Sequence, residues 1–231
     1  MSEPSVLHAG SSLQVDHIPT TRGPTGKLAV IFSSLGNRML GGESAAFLLA
    51  DGFDVVRFSS IANDWFQTVP EAAFDRIERV AQAADYQCRV ALGSSMGAYG
   101  AIAFSARLRL DRVLAFAPQF QVSGWRDGRF APVAEKLDWK YLIGPQSVRR
   151  GCRYCMVYDP RDFDAVHVAA LRTLIGEDFV DEIALPYTGH TPLYYLAETG
   201  NLRSVTLDVL NGRRPSPRAL RRDRRKSRLY C

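Results

Sequence analysis

A turn rich in glycine and serine, near the middle of the chain, joins two runs of different character. The run 90–92 before it is apolar and predicts a strand, whereas the run after it is rich in Gly and Ala and predicts a thin helix. The turn matches the pattern Gly-x-Ser-x-Gly through Gly93, Ser95 and Gly97. A sharp strand-to-helix turn needs residues almost without side chains two positions before and after its apex, which Ser95 has and Ser94 lacks. The pattern therefore predicts a nucleophile elbow with Ser95 at its apex.

Apolar runs alternate with amphipathic or small-residue runs on both sides of this turn. Predicted strands cover 27–32, 53–58, 89–92, 112–117, 153–158 and 182–186, and predicted helices cover about 43–50, 70–84, 96–104, 165–174 and 202–210. Strands that are continuously apolar are typical of parallel sheets buried on both faces. Strict alternation with helices favours right-handed crossovers, so we expect the α/β class, with a mostly parallel twisted sheet and helices on both of its faces.

Three segments depart from this alternation. Residues 1–26 are polar and rich in turn residues, with two short apolar runs that suggest a hairpin. Residues 119–151 are aromatic, charged and irregular, and we interpret them as a short cap inserted above the edge of the sheet. The predicted organisation is thus an N-terminal segment 1–26, an α/β domain 27–211 that carries the cap, and a tail 212–231.

The tail carries the positive charge of the whole chain. Residues 212–231 hold nine Arg or Lys and one Asp, whereas the rest of the chain holds 20 basic and 23 acidic residues. A segment with so much charge of one sign is predicted to be solvated and disordered. The alternative is a contact with an anionic partner, either nucleic acid or a membrane surface.

No run of about 18 apolar residues is present to span a membrane, and the first residues lack the pattern of a signal peptide. These observations predict a cytoplasmic location with reduced thiols. Cys152 and Cys155 form a C-x-x-C, but the segment is predicted as a strand, on which positions three apart point to opposite faces. We therefore expect these two cysteines to form neither a redox pair nor a metal site.

A serine hydroxyl is a weak nucleophile and needs a general base, which in turn needs an orienting carboxylate. Asp159 and Asp162 follow the predicted strand 153–158, and His190 follows the last predicted strand. Loops after the carboxyl ends of parallel strands converge at one edge of the sheet. We expect these side chains to meet Ser95 there, whereas His167, inside a predicted helix, is interpreted as structural.

From Lys27 to Leu210 the chain resembles the α/β-hydrolase superfamily, in particular its small serine hydrolases and esterases. The resemblance rests on the Gly-x-Ser-x-Gly run 93–97, on the acidic loop after the strand 153–158, and on Gly189-His190 after the last strand. The order Ser, Asp, His along the chain is also that of the superfamily. It implies the α/β-hydrolase fold and a serine-dependent reaction without a cofactor.

The resemblance assigns roles to individual residues. Ser95 is the expected nucleophile and His190 the expected general base and then acid. Asp162 is the preferred orienting carboxylate, because the superfamily loop places the acid a few residues past the strand end. Asp159 is the alternative, and Asp164 ranks below both.

The superfamily also implies an oxyanion hole made of two backbone N–H groups. One is that of Met96, and the second comes from the loop after the first parallel strand, where Leu35, or Ser34 beside it, is the candidate. Ser33-Ser34-Leu35 stands where the superfamily commonly has His-Gly. The expected function is hydrolysis of a small-molecule carboxylic ester or thioester through an acyl-serine intermediate. The alternatives are an acyltransferase of the same fold, and a non-catalytic binding or scaffold protein recruited by its basic tail.

Overall fold

A sheet of eight strands runs through the computed structural model of the protein, which describes residues 4–37, 44–123 and 127–222. The strands are β1 (Ser5–Ala9), β2 (Leu13–Ile18), β3 (Lys27–Phe32), β4 (Asp54–Ser60), β5 (Cys88–Ser94), β6 (Arg112–Phe116), β7 (Arg153–Tyr158) and β8 (Val180–Ala184). The helices are α1 (Ser44–Ala50), α2 (Glu71–Ala83), α3 (Met96–Ala103), α4 (Ala131–Ala134), α5 (Asp164–Ile175), α6 (Pro192–Glu198), α7 (Leu202–Leu210) and α8 (Pro217–Arg222). Short 3-10 turns occupy Leu35–Asn37 and Glu177–Phe179.

Six of the strands form a parallel array. The strand order is β1-β2-β4-β3-β5-β6-β7-β8, and every pair from β4 to β8 is parallel. β1 and β2 pair with each other, and β2 pairs with β4, in the antiparallel sense at one edge. The predicted α/β class with a mostly parallel sheet is therefore confirmed. None of the helices within the described ranges is long and apolar enough to cross a membrane.

Apolar residues of the central strands face two separate cores. On β3, Val30 and Phe32 belong to the core under α2, α3 and α5, whereas Ala29 and Ile31 belong to the core under α1, α6 and α7. Successive side chains of a strand point to opposite faces, so a strand covered on both faces needs apolar residues at every position. This is why β3 is continuously apolar from Leu28 to Phe32, and it confirms helices on both faces.

The segment 119–151, predicted as a cap, connects β6 to β7 and contains the one-turn helix α4. Its aromatic side chains pack on α2 and α3. The ring of Trp139 lies 5.8 Å from that of Tyr99, and the ring of Tyr141 lies 5.1 Å from that of Phe104. Aromatic contacts of this kind attach an irregular segment to a helical surface. Residues 124–126 of this segment lie outside the described ranges.

The structure corrects the prediction of a disordered tail at 217–222. These residues form α8, in which Leu220 is buried against the core under α6 and α7. The hydroxyl of Tyr195 also donates a hydrogen bond to the Leu220 carbonyl oxygen over 2.7 Å. The buried Leu220 side chain and this hydrogen bond attach the segment to the core. The net charge of residues 212–231, on which the prediction of disorder rested, gives no information about either contact. Residues 223–231 lie outside the described ranges.

Cys152 directly precedes β7 and Cys155 lies within it, and the two face different cores, as predicted for positions three apart along an extended chain. Burial raises the pKa of each thiol to about 12. Burial therefore favours the neutral thiol over the thiolate at both positions.

Candidate active site

Ser95 stands at the point where β5 ends and α3 begins. Its backbone has φ 54° and ψ −116°, a conformation that residues with side chains rarely adopt. The N–H of Ser95 donates to the Phe116 carbonyl oxygen of the neighbouring strand β6 over 2.9 Å. Such strain persists only where the surroundings impose it, and here the sheet and the helix hold both sides of the turn. The predicted sharp turn is therefore present, with the Ser95 side chain at its apex.

Two glycines make this turn sterically feasible. A Cβ on Gly93 would lie 2.2 Å from the carbonyl carbon and oxygen of Gly97. A Cβ on Gly97 would lie 2.4 Å from the carbonyl oxygen of Phe32, at the end of β3. Both contacts are with backbone atoms, which cannot rotate away. The spacing of glycines in the sequence thus reflects the close approach of α3 to β3 and β5.

We expect Gly93→Ala to destabilise the fold by more than about 3 kcal/mol, because one methyl group would displace the backbone of α3. Urea denaturation measures the change. Gly144→Ala is the matched control, since nothing lies within 4 Å of a Cβ added there and its φ is not in the left-handed region. An equal, small change in both variants would contradict this account of the turn.

His190 follows β8 and reaches Ser95. Its Nε2 lies 2.8 Å from Ser95 Oγ, although the two residues are 95 positions apart in the chain. The loop that carries His190 is held by Asp159, whose carboxylate accepts a hydrogen bond from the Gly189 N–H over 2.8 Å. Asp159 is 3% exposed and also accepts from the Arg161 N–H, so it positions this loop without contacting the imidazole of His190.

The carboxylate that contacts His190 is Asp164. Its Oδ1 and Oδ2 lie 2.8 Å and 3.0 Å from His190 Nδ1. The preference for Asp162, and the alternative Asp159, are therefore corrected. Asp162 instead accepts hydrogen bonds from Arg129 and from the Asp164 N–H at the start of α5. The sequence ranking failed because loop length alone does not show where a loop ends and a helix begins.

The hydrogen-bond roles follow from the chemistry of the partners. A carboxylate accepts only, so the Nδ1–H of His190 donates to Asp164. The Nε2 atom then carries a lone pair, and the hydroxyl of Ser95 donates to it. Asp164 is fully buried and lies in the first turn of α5, where the helix dipole favours a negative charge. The arrangement can withdraw a proton from Ser95 and stabilise the imidazolium that results.

Arg129, from the segment 119–151, binds three aspartates beside His190, a role that the sequence did not predict. Its guanidinium donates to Asp164 over 2.8 Å, to Asp162 over 2.7 Å, and to Asp127 over 2.7 to 3.0 Å. A guanidinium has five donors in a rigid fork and is the side chain best suited to bind several carboxylates. Only the Asp-x-Arg spacing of Asp127 and Arg129 hints at this role in the sequence, and such spacings are common on solvated loops.

A second aspartate–histidine pair lies behind this guanidinium. His167 is fully buried, its Nδ1 accepts from the Phe120 N–H over 3.0 Å, and its Nε2 therefore carries the proton that Asp127 accepts. Burial lowers the pKa of His167, although the neighbouring Asp127 opposes this change. Burial alone would raise the pKa of Asp127, but hydrogen bonds from Arg129 and His167 hold it well below its usual range. His167 is thus a neutral structural residue, which agrees with its interpretation from the sequence.

We expect Arg129→Met to destabilise the protein by about 3 kcal/mol at pH 7, because it leaves the buried carboxylates of Asp127 and Asp164 without their cation. Since the pKa of Asp127 is depressed in the folded state, its stabilisation is present above its unfolded pKa of about 4 and is lost as the pH falls further. The difference between variant and wild type should therefore decline below about pH 4.

Chemical denaturation at pH 7 and pH 3 measures this difference. Arg161→Met is the control: its guanidinium contacts the exposed Tyr187, so we expect a change within about 0.5 kcal/mol. A difference for Arg129→Met that is independent of pH would show that lost packing, not lost charge, accounts for it.

The predicted oxyanion donors lie at the same edge of the sheet. Met96 is the first residue of α3, and N–H groups of a first helical turn have no partner within their own helix. Leu35 opens the 3-10 turn after β3, whose Phe32 is the register partner of Gly93. The Gly36 N–H donates to the Asn63 side chain over 2.7 Å, which holds this turn. The assignment of Leu35 as second donor stays a prediction.

An aromatic side chain packs beside the imidazole of His190. The ring of Phe130 lies 5.6 Å from that of His190 and 5.9 Å from that of Trp65. Trp65 is fully buried, and its indole N–H donates to Gln119 over 2.6 Å. Trp65 therefore supports the segment 119–151 from below.

Asp162, Asp164 and His190 place potential ligand atoms within 4.8 Å of one another. Both carboxylates already bind the guanidinium of Arg129, and His190 Nδ1 already donates to Asp164. A divalent cation at this point would face a fixed positive charge, so the cluster is poorly suited to metal binding.

Comparison with known proteins relates this geometry to other structures. No family model and no curated protein matches the sequence. Among solved structures, a serine hydrolase without a lid, XC6422 from Xanthomonas campestris, matches with a TM-score of 0.57 at 16% identity, over 93% of this chain and 98% of its own. The esterase Pf2001 from Pyrococcus furiosus matches with a TM-score of 0.58 at 12% identity, over 90% and 91%.

The capsule O-acetyltransferase of Neisseria meningitidis serogroup A matches with a TM-score of 0.60 at 11% identity, over 88% of this chain and 93% of its own. At such low identity the likeness concerns the fold and not the substrate. It agrees with the mostly parallel sheet, and the chain accordingly has the fold of the α/β-hydrolase superfamily.

Proposed function

We propose that the protein is a serine hydrolase that cleaves a small-molecule carboxylic ester or thioester through an acyl-Ser95 intermediate. The observation that carries the proposal is the hydrogen-bonded chain from Ser95 Oγ through His190 to Asp164, with successive distances of 2.8 Å. Three side chains from separate parts of the chain, at the start of α3, at the start of α5 and after β8, meet in the order that activates a hydroxyl. A cytoplasmic location is part of the same proposal.

In the first half of the reaction, Ser95 Oγ attacks the acyl carbon while its proton moves to His190 Nε2. The carbonyl oxygen takes up the negative charge and is bound by the N–H of Met96 and, as we expect, by that of Leu35. The bond to the leaving group then breaks, and the imidazolium gives its proton to the departing alkoxide or thiolate. The products of this half are the free alcohol or thiol and the acyl ester of Ser95.

In the second half, a water molecule gives a proton to His190 Nε2 and attacks the acyl carbon. The second tetrahedral intermediate collapses, Ser95 leaves with the proton from the imidazolium, and the carboxylic acid is released. Asp164 remains ionised throughout and holds Nδ1–H toward itself, so that Nε2 faces Ser95. Arg129 and α5 stabilise this buried carboxylate in the absence of substrate.

Incubation with p-nitrophenyl acetate tests the proposal directly. We expect turnover, and mass spectrometry of the acid-quenched enzyme should find the mass of one acetyl group on the peptide that contains Ser95. Addition of a small alcohol as acceptor distinguishes hydrolysis from acyl transfer, because an acyltransferase would form the new ester faster than acetate. The absence of turnover on a panel of esters and thioesters, with no acetylated peptide, would favour a non-catalytic binding protein.

A further inference from the structure

A cavity of about 300 Å³ lies at the edge of the sheet opposite to Ser95. It is formed where β6, β7 and β8 begin and where the chain passes below them at 212–217. Ser95 and His190 follow the carboxyl ends of their strands, so the length of the sheet separates the two sites. A ligand in this cavity would be distinct from the ester substrate proposed above.

The wall of the cavity is unusually cationic. Four arginines line it, against two carboxylates. Arg112 and Arg153 are register partners on the adjacent parallel strands β6 and β7, so their side chains leave the same face of the sheet side by side. Like charges in neighbouring positions on a sheet destabilise it unless an anion lies between them.

The carboxylates nearby compensate only part of this charge. Asp181 accepts from both Arg153, over 3.2 Å, and Arg214, over 2.8 Å, so one carboxylate serves two guanidinium groups. Among the residues that the structure describes, Arg112 has no carboxylate within 4.0 Å, and its nearest hydrogen-bond partner is the Cys88 sulfur at 3.5 Å. Within the described ranges, the half-buried Arg112 is therefore a cation without a counterion.

The two remaining charged side chains of the wall have partners outside the cavity. Arg213 binds Asp208 over 2.7 Å, and Glu182 binds Arg172 over 3.1 Å. These outer pairs cancel in charge, so the excess of four arginines over two carboxylates remains as about two positive charges. The rest of the wall is apolar and includes Ile183, Val209 and Pro215.

We propose that this cavity binds the phosphate group of a small phosphorylated organic molecule. A phosphate monoester carries a charge of about −1.5 to −2 at pH 7, which matches the excess positive charge of the wall. Guanidinium groups bind phosphate oxygens in pairs, and Arg112 and Arg153 offer adjacent forks on one face. The volume of the cavity exceeds that of a single phosphate and lies at the lower end of the range for sites that bind small organic ligands. Its apolar wall would therefore contact the organic part of the molecule.

Calorimetric titration with adenosine 5′-monophosphate tests the proposal, and adenosine is the probe without phosphate. We expect the monophosphate to bind the wild type and adenosine to bind at least about tenfold more weakly. Arg112→Gln combined with Arg153→Gln should weaken binding of the monophosphate by about a hundredfold or more, because each lost charge-assisted hydrogen bond weakens binding by about tenfold or more. Arg79→Gln, on the exposed surface of α2, is the matched control and should bind as the wild type does.

Two further variants distinguish this cavity from other cationic or catalytic regions. Ser95→Ala should retain binding, since the catalytic edge takes no part, and this holds whether or not the protein hydrolyses esters. A full-length variant with glutamine at the four cationic positions of the last residues should also retain it: Arg224, Arg225, Lys226 and Arg228. The proposal is overturned if neither adenosine monophosphate nor inorganic pyrophosphate binds. It is equally overturned if binding survives in a folded Arg112→Gln/Arg153→Gln variant, or if the tail variant alone loses it.

Discussion

Replacement of Ser95 by alanine is expected to lower kcat/KM for p-nitrophenyl acetate by about 10⁴-fold or more, and to abolish labelling by a fluorophosphonate probe. In the proposed mechanism the hydroxyl oxygen of Ser95 forms the acyl bond, and the described part of the site offers no second nucleophile in contact with His190 Nε2. The fold should be unaffected, because Ser95 contributes its strained backbone and not its side chain to the packing of the turn.

The control for this experiment is Ser94→Ala. Ser94 is the last residue of β5 and pairs in register with Phe116, so its backbone belongs to the sheet, and its side chain does not contact His190. We expect its labelling to match that of the wild type. Labelling that persists in Ser95→Ala, or that disappears in Ser94→Ala while the protein stays folded, would contradict the assignment of the nucleophile.

Asp164→Asn is expected to lower kcat by about 10⁴-fold, whereas Asp162→Asn should lower it less than about tenfold. An asparagine at position 164 would keep its carbonyl oxygen toward the guanidinium of Arg129 and turn its amide N–H toward His190 Nδ1. Nδ1 would then have to accept, and the proton would move to Nε2. In that tautomer His190 cannot take the proton of Ser95.

Comparison of the two variants decides between Asp164, which contacts His190 in the structure, and Asp162, which the sequence analysis preferred. Both replacements keep the size of the side chain, and both remove one negative charge next to Arg129. Burst and steady-state rates with p-nitrophenyl acetate, together with thermal melting curves, separate catalysis from stability. A larger loss of kcat in Asp162→Asn than in Asp164→Asn would restore Asp162 as the orienting carboxylate.

Much of the fold could be predicted from the sequence because its determinants are local. From Leu28 to Phe32, β3 is apolar at every position, which is required only of a strand covered on both faces, and this places it inside a parallel sheet. The glycines at 93 and 97 have no alternative in a turn where a Cβ would meet backbone atoms at 2.2 to 2.4 Å. Helix α8 was not predicted, because the sequence analysis considered the nine positive charges of the tail and not the single Leu220, whose burial attaches the helix to the core.

The candidate site also has features that the sequence predicts and features that it does not. The sequence by itself determined the turn with Ser95 at its apex and the arrival of His190 at the same edge, because strand direction alone brings the ends of parallel strands together. Only the tertiary structure decided that Asp164, not Asp162, contacts the imidazole, and that Arg129 from a segment without any motif binds both carboxylates. A hydrogen bond depends on distances of a few tenths of an ångström between residues far apart in the chain, and residue types and spacings do not contain that information.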